Sequence, residues 1–370
     1  MATGLYIMMG RNKEFEGALS KSLKYGIYGF YMKPIFEGQP SSQSRHYAIL
    51  SDYACCEEGT HIFFFYNRYV YYGGKVSDEN KDDSPIFYLN GKTSPLGKKA
   101  NAEFYYEETL PKLKEETYII NDDEKAMPFT IEFEVDDELT GKKISVDDLY
   151  WELSQYNYPL PINSIQGLAM ATLTPKETEI LLDLLKNSDE RIKTKRIFKE
   201  PKINKTKKTK FSKELVERDE QINESHLEFL LLSQIELIKK IVPEGEYAKC
   251  RQIPLCPFKS ESYDRIDIAL YDKNNKIKDG TLPNVIIELK NKDVSFNEYK
   301  QVNRYLEWLE RISDDEFEKI KAILIGPKIS RNLNKRQLKL KGIDTKYFEK
   351  IKLVKLDDLK ESKLEDFFND

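Results

Sequence analysis

The chain has 370 residues, of which 40% are hydrophobic and 33% are charged, and its formal net charge is −4. This composition excludes a disordered chain and indicates a globular protein of about two domains with a heavily charged surface. No apolar run approaches the roughly 20 residues that span a bilayer, and the N-terminus has no secretion signal, so we expect a cytoplasmic protein with no membrane partner.

The first part of the chain, residues 1–188, is rich in aromatic residues and strand patterns. The stretch His61–Val76 predicts a hairpin that turns at Asn67, because two apolar runs flank a short polar pair. The stretch Pro128–Asp137 alternates apolar and polar residues, as a half-buried strand does. A helix is predicted after Thr174, where proline and glutamate follow at the positions that favour a helix start. Many strands and few helices predict a small β-barrel-like domain.

Residues 189–220 form a basic connector that lacks apolar periodicity over most of its length. Between Arg191 and Lys210 it carries ten basic residues, opposed only by Glu200. One interpretation is an arm that contacts nucleic-acid phosphates, for which the candidates are Lys205, Lys207 and Lys208. The alternative is a solvated linker that lysine keeps soluble.

The last part, residues 221–370, alternates predicted helices and strands, which predicts a mixed and partly parallel sheet. The predicted elements are a helix at Glu224–Ile241, strands at Asp264–Asp272 and Asn284–Lys292, a helix at Phe296–Ile312, and strands at Ile320–Ser330 and Lys350–Leu359. We therefore expect a two-domain protein, divided at the connector. Four cysteines and three histidines, with Cys55 and Cys56 adjacent, exclude the usual zinc sites and favour reduced thiols.

Two of these predicted strands carry charges among apolar residues: Asp267 in the first, and Glu288 and Lys290 in the second. Residues two apart project from the same face of a strand, so Glu288 and Lys290 project together. If the two strands pair as a hairpin, Asp267 converges with Glu288, and the two carboxylates repel each other. A hard divalent cation compensates this repulsion best, and we expect Mg²⁺, with Mn²⁺ able to substitute.

This arrangement predicts a phosphodiesterase centre. A metal-bound water would attack the phosphodiester, and Lys290 would orient that water or assist its deprotonation while offsetting the developing negative charge. The alternative is a pair of edge strands with ordinary exposed charges and a salt bridge between Glu288 and Lys290, since the pattern Glu-x-Lys is common.

Polar residues on the flanking helices share faces that would reach the same point. Gln301 and Tyr305 are four residues apart on the following helix, and Glu224 and Glu228 are four apart on the preceding helix. Either glutamate is a candidate for an additional carboxylate at the site.

Together these segments resemble the PD-(D/E)xK nuclease superfamily, and in particular the NucS-type mismatch endonuclease catalytic domain. That family has a glutamate on a first helix, G-R-I-D-I on a strand, V-x-E-L-K on the next strand and Q-x-x-x-Y on a helix. The corresponding segments here are Glu224, DRIDI, IIELK and QVNRY, followed by KAILIGPKIS. Asp264 stands where the family has glycine. The resemblance covers residues 221–360 and implies an α/β restriction-endonuclease-like domain with a mixed sheet.

The resemblance also implies a role for each matched residue. The metal ligands would be Asp267, Glu288 and the backbone carbonyl of Leu289. Lys290 would position the attacking water, and Gln301 and Tyr305 would orient Lys290 and the substrate. Glu224 would hold a water or a second metal, with Glu228 as the alternative.

The first domain resembles the PUA-like fold of EVE and YTH domains in the segments FEGALSKSLKYGIYGF, GTHIFFFYNRYVYYGGKV and YWELSQYNYPLP. In those domains a small barrel holds a flipped modified base in an aromatic pocket, where stacking offsets the cost of flipping. The candidate pocket residues here are Tyr28, Phe30, Tyr150 and Trp151, followed by Tyr156 and Tyr158. The alternatives are ordinary core aromatics, or a pocket for a nucleotide or a protein.

The combined interpretation is a two-domain, Mg²⁺-dependent DNA endonuclease that acts on double-stranded DNA as a homodimer. Its first domain would recognise a feature such as a modified base, as in modification-dependent restriction or phage defence. Three alternatives stay open: a repair nuclease for mismatched or branched DNA, an inactive nuclease fold that only binds nucleic acid, and a nuclease gated by a bound nucleotide.

Overall fold

The computed structural model describes residues 2–9, 19–20, 22–24, 26–30, 40–76, 86–88, 129–153, 169–192, 223–254 and 265–360. The chain divides into two compact units, the first formed by most of residues 2–217 and the second by most of residues 218–370. The candidate phosphate contacts Lys205, Lys207 and Lys208 lie outside the described residues, as does Asp264. None of the helices within the described ranges is long and apolar enough to cross a membrane.

The first unit is built mainly from short strands. Its described strands are β1 (Gly4–Met8), β2 (Ile27–Phe30), β3 (His61–Tyr66), β4 (Tyr69–Lys75), β5 (Ile86–Tyr88), β6 (Phe129–Glu132), β7 (Lys143–Ser145) and β8 (Met170–Leu173). Its described helices are α1 (Pro40–Ala54), α2 (Val146–Leu153) and α3 (Pro175–Lys186). The predicted hairpin is present as β3 and β4, and the predicted helix after Thr174 is α3. The strand predicted at Pro128–Asp137 is only the four residues of β6.

The strands of the first unit form two sheets. One is a mixed five-stranded sheet in the order β7-β4-β3-β1-β8, in which β1 and β3 are parallel; the other is an antiparallel sheet in the order β2-β6-β5. In the five-stranded sheet β7 and β8 are edges, and a barrel would require such edges to pair. The described residues therefore contain no closed barrel, and the predicted PUA-like barrel is not confirmed. Sequence analysis also missed the 15-residue helix α1.

The helix α3 packs its apolar stripe onto the five-stranded sheet. Leu181 and Leu185 are fully buried in one cluster with Tyr6, Phe63 and Tyr72 of the strands. The helical spacing of these apolar residues places them on one face of α3, and this predicted apolar face is the one that packs on the sheet.

The second unit alternates helices and strands along the chain. Its described strands are β9 (Tyr247–Pro254), β10 (Arg265–Asp272), β11 (Val285–Leu289), β12 (Lys321–Gly326) and β13 (Ile351–Lys355). Its described helices are α4 (Glu224–Ser233), α5 (Ile235–Lys239), α6 (Phe296–Ser313), α7 (Lys335–Leu340) and α8 (Leu356–Lys360). The single helix predicted at Glu224–Ile241 is broken at Gln234, whose φ of −123° and ψ of 74° are not helical. The last predicted strand ends at Lys355 and is followed by α8.

The sheet of the second unit has the order β13-β12-β11-β10-β9. Strands β11, β12 and β13 are parallel, whereas β10 is antiparallel to both β9 and β11. Helix α6 provides the crossover between β11 and β12, and it buries Tyr299, Val302, Leu306 and Leu309. The C-terminal ends of the parallel strands and the N-terminal end of β10 therefore meet at one edge of the sheet.

Candidate functional site

The pairing of β10 with β11 places Asp267 beside Glu288. Ile268 pairs with Ile287 in an antiparallel register, so Asp267 and Glu288 are opposite each other at the next position. Residues opposite each other in antiparallel strands project from the same face. The register of β9 against β10 places Gln252 opposite Asp267 from the other side.

Both carboxylate oxygens of Asp267 accept hydrogen bonds. Oδ2 accepts from the backbone N–H of Leu289 at 2.7 Å, and Oδ1 accepts from Nε2 of Gln252 at 3.0 Å. Burial raises the pKa of Asp267 well above its ordinary value, and the carboxylates of Glu288 and Glu228 raise it further. The Leu289 amide and the nearby lysine oppose this rise without cancelling it. The ionised form of Asp267 is therefore disfavoured by its surroundings.

Lys290 forms a buried ion pair with Glu288. Its Nζ lies 2.6 Å from Oε1 of Glu288, and the two side chains are 10% and 3% exposed. Glu224, at the start of α4, places Oε1 4.0 Å from the same Nζ. Burial lowers the pKa of Lys290, but the carboxylates of Glu288, Asp267 and Glu224 together outweigh burial and the net pKa is raised. Lys290 is therefore an ammonium at neutral pH, which suits it to orientation and charge stabilisation rather than to accepting a proton.

Behind this pair lies a second buried ion pair that sequence analysis missed. Nη2 of Arg251 donates to Oε2 of Glu228 at 2.7 Å, and both side chains are less than 5% exposed. Nε2 of Gln252 also lies 3.4 Å from Oε1 of Glu228, so the Gln252 amide bridges Glu228 and Asp267. Glu228 thus stands behind Asp267, whereas Glu224 stands beside Lys290.

Arg251 and Gln252 belong to β9, which was not predicted as a strand. Its segment YAKCRQIP interrupts the apolar alternation with three charged or polar side chains. The backbone of Gln252 has a φ of 52°, in the left-handed region that non-glycine residues rarely adopt. A strained backbone opposite a buried carboxylate is typical of functional sites.

The helical pair Gln301 and Tyr305 is anchored to the start of β10. Nε2 of Gln301 donates to the hydroxyl of Tyr305 at 2.6 Å, and that hydroxyl donates to the backbone carbonyl of Arg265 at 3.1 Å. Arg265 precedes Asp267 by two residues, so the pair fixes α6 against the strand that carries Asp267. The predicted role of the pair in orienting Lys290 stays a prediction.

The donors at this edge fit a magnesium-type ion. Among the described residues, no group of three or more Asp, Glu, His or Cys side chains is arranged to hold a metal by itself. Asp267 and Glu288 are two carboxylates on one face, and burial first, then the charge of Glu288, raise the pKa of Asp267. Mg²⁺ is usually bound through one or two carboxylates and keeps several waters, so this pair is a sufficient donor set. Leu289 enters the site through its amide, which donates to Asp267.

A cleft of about 490 Å³ opens beside Lys290. Its lining residues come from α4, from the loop after β11, from the end of β12 and from α8: Leu227, Lys290, Asn291, Lys292, Asp293, Pro327, Lys328 and Leu356. Three lysines and one aspartate line the cleft, and two of these lysines, Lys290 and Lys292, are paired with Glu288 and Glu298.

The loop that forms one wall of the cleft is held by a capping box at the start of α6. Oε2 of Glu298 accepts from the N–H of Ser295 at 2.9 Å and from its Oγ at 2.6 Å, and Oε1 lies 3.0 Å from Nζ of Lys292. Burial opposes the charged form of Glu298, but the hydrogen bonds from Ser295 and Lys292 outweigh it and lower the pKa to about 2. Lys292 is therefore positioned at the cleft by a carboxylate that stays ionised.

The aromatic candidates of the first unit are only partly described. The ring of Tyr28 packs at 5.7 Å from that of Phe64, and Tyr28 is half-buried, with burial raising its pKa. Its predicted role in a base pocket stays a prediction. Trp151 lies on α2 and is 71% exposed. Outside the described part lie the side chains of Phe30 and Tyr150, and all of Tyr156 and Tyr158.

Comparison with known proteins gives two matches. No family model and no curated protein matches the sequence. A crystal structure of a repair endonuclease from Pyrococcus abyssi matches with 20% identity and a TM-score of 0.24, over 38% of this chain and 49% of that one. The structure of an EndoMS–dsDNA2 complex matches with 18% identity and a TM-score of 0.23, over 38% of this chain and 48% of that one. The matches span about half the length of those proteins. At these scores the site geometry alone carries the assignment of function.

Proposed function

We propose that the second unit is a metal-dependent nuclease that hydrolyses phosphodiester bonds in DNA. The observation that carries this proposal is the position of Asp267 opposite Glu288, with the ammonium of Lys290 at 2.6 Å from Glu288. Asp267 and Glu288 would hold Mg²⁺ or Mn²⁺. When bound, such an ion supplies a water of lowered pKa and neutralises charge on the phosphate.

The protein residues around the metal would each have a separate role in catalysis. Lys290, held as an ammonium, would orient the attacking water and stabilise the negative charge that develops on the phosphate oxygens. Gln252 and the Leu289 amide fix the carboxylate of Asp267 by a hydrogen bond to each oxygen. Glu224, at 4.0 Å from Lys290 and partly exposed, would position a water at the mouth of the site.

The substrate in this proposal is double-stranded DNA, and cutting both strands would require a homodimer with two such sites. The first unit would recognise the DNA feature, and a modified base remains the proposal for that feature. The exposed ring of Trp151 supports it, because an exposed indole offers a stacking face. A modification-dependent restriction or defence role follows only if that recognition holds.

The test is cleavage of supercoiled plasmid and of short duplexes by the full-length chain. Wild type is expected to cut with Mg²⁺ or Mn²⁺ and not with chelator, whereas Glu288→Gln is expected to be inactive. Lys276→Gln is the control, because Lys276 is exposed beyond the end of β10, at the opposite edge of the sheet. Cleavage that survives Glu288→Gln or the chelator would refute the proposal.

A substrate panel then decides between the recognition proposals. Duplexes with modified cytosine, with a mismatch, with a branch and without any change are compared at equal length. Preference for modified cytosine supports the restriction role, and preference for the mismatch or branch identifies a repair nuclease. A nuclease gated by a nucleotide would cut only after a nucleoside triphosphate or cyclic nucleotide is added.

A further inference from the structure

The segment from Lys328 to Lys341 is the most strongly basic part of the second unit outside the site described above. It carries six basic residues and no acidic residue: Lys328, Arg331, Lys335, Arg336, Lys339 and Lys341. We call residues 328–341 the basic segment. The whole chain has a net charge of −4, so this charge is local.

The basic segment is anchored by apolar residues and presents its charges to solvent. Leu333 and Leu338 are buried at 6% and 0% exposure. All six basic residues of the segment are exposed. Helix α7 is therefore held by one side while its charged side chains point outward.

The same segment is continuous with the cleft beside Lys290. Lys328 lines the cleft, and its backbone carbonyl accepts from the N–H of Val294 at 2.8 Å. The N–H of Ser330 donates to the carbonyl of Val294 at 2.9 Å, so the segment is tied to the loop that carries Lys292. Positive charge therefore runs from the cleft onto α7 without an intervening element.

Few protein groups neutralise this charge. Lys335 lies 3.3 Å from Glu349 in an exposed pair of small energetic value, and Lys341 lies over the ring of Phe296. Within the described ranges, no ion pair involves Arg331, Arg336 or Lys339. These three exposed side chains have no counter-charge within the described structure. They are therefore available to bind a polyanion.

We infer that the basic segment binds the phosphate backbone of double-stranded DNA next to the cleft, which deepens the proposed function and rests on it. Its charges are spread along a helix of six residues, about 9 Å long, and the loop before it. A duplex offers one negative charge per roughly 1.7 Å of its axis, so several phosphates fall within this length. A single phosphate would occupy only the cleft.

The experiment measures binding separately from cleavage. The full-length chain is titrated onto a fluorescent 20-base-pair duplex in chelator, at salt concentrations from 50 to 200 mM, for wild type, R336Q/K339Q and the control K276Q/K321Q. Both variants lose two positive charges, but Lys276 and Lys321 lie at the opposite edge of the sheet, after β10 and at the start of β12. Circular dichroism melts establish that all three proteins are folded.

The expected result is that R336Q/K339Q binds about 10-fold more weakly at low salt, and that its log–log salt slope falls by about 1.8, or 0.9 per lost phosphate contact. The control is expected to stay within about 2-fold of wild type. Equal binding by both variants would overturn the inference, as would competition by polyglutamate as strong as that by unlabelled duplex, which would indicate an acidic protein partner.

Cleavage assays keep the two proposals apart. If wild type cuts DNA but R336Q/K339Q binds like the control, the basic-segment inference fails and the nuclease proposal stands. If wild type cuts nothing but R336Q/K339Q has lost affinity, the binding surface stands and the nuclease proposal fails.

Discussion

Gln252 lies opposite Asp267 across the β9–β10 pair, and its side-chain amide donates a 3.0 Å hydrogen bond to that carboxylate. The same amide nitrogen lies 3.4 Å from Glu228, so one neutral group is placed between two acidic ones. The backbone of Gln252 adopts a φ of 52° to achieve this. The strained backbone of Gln252 thus accompanies a hydrogen bond that holds Asp267, a proposed metal ligand.

Replacing Gln252 separates these two effects. Gln252→Ala removes the side-chain amide but keeps the strain of a positive φ at a residue with a side chain. Gln252→Gly removes the amide and also that strain, because glycine adopts a positive φ readily. We expect both variants to lose roughly 10-fold or more of the cleavage rate, and the glycine variant to be more stable than the alanine variant by about 1 kcal/mol. Urea unfolding and plasmid cleavage measure the two quantities.

Asp279 provides the matched control, since its φ is 54° in an exposed turn. Asp279→Gly and Asp279→Ala should show the same difference in stability with no change in cleavage. If Gln252→Ala keeps the full rate, Gln252 has no role in positioning Asp267.

Lys290→Met is expected to be destabilising as well as inactive. It leaves Glu288, 3% exposed, without the ammonium that lies 2.6 Å away, and breaking a buried ion pair costs about 3–5 kcal/mol. The double variant E288Q/K290M removes both charges and should recover most of this loss while staying inactive. Urea unfolding in chelator tests this, and a double variant no more stable than Lys290→Met would contradict it.

The charge on Asp267 is expected to destabilise the metal-free protein at neutral pH. Its folded-state pKa lies well above the ordinary 3.8, so the folded protein binds the proton more tightly than the unfolded chain does. Stability is then highest below the ordinary pKa and falls as pH rises toward the folded pKa. In chelator at pH 7, Asp267→Asn should therefore melt a few degrees above wild type, and the difference should vanish below pH 4.

Metal addition should reverse this order. Mg²⁺ or Mn²⁺ that binds only the folded state raises the melting temperature of wild type, by mass action, and leaves Asp267→Asn unchanged. Equal shifts in both proteins would place the metal elsewhere. The readout is thermal stability, so it is independent of cleavage.

The capping box of α6 gives a prediction with the opposite pH dependence. The pKa of Glu298 is lowered to about 2, so its contribution to stability is present above the ordinary 4.5 and is lost as pH falls from there through about 2. Ser295→Ala should cost about 1 kcal/mol at pH 7 and less at pH 2.5. Asn334→Ala is the control, because its amide oxygen caps α7 at Gln337 without a carboxylate, and its cost should not change with pH.

The second unit was predicted from sequence more fully than the first. Strand β11 is an apolar run that contains Glu288, and α6 has a clear apolar stripe, so the pattern of apolar residues was enough to locate both elements. The register that brings Asp267 opposite Glu288 also follows from a hairpin between two such strands. Period alone does not give strand order, and the parallel pairing of β11 with β12 became visible only in the structure.

Other features had no sequence signal of this kind. Strand β9 carries Lys249, Arg251 and Gln252, which interrupt its apolar pattern. Arg251 is buried in an ion pair with Glu228, and the half-buried Gln252 donates to Asp267. The predicted barrel is not confirmed in the described part of the first unit, and alternation could not have decided it, because it indicates a half-buried strand but says nothing about whether the edges of a sheet meet. Helix α1 has a weak apolar stripe and no acidic residue in its first turn, so its local sequence did not predict a helix.

The position of β11 in the sheet has a consequence for the order in which this site matures during synthesis. The N–H of Lys290 donates to the carbonyl of Ile325, more than 30 residues later in the chain, and β12 pairs with β11 only after α6 has been made. A growing chain that has already produced Asp267, Glu288 and Lys290 still lacks the strand that fixes Lys290. During synthesis these three side chains therefore leave the ribosome before the site can form. We expect the site to form only after β12 has been synthesised.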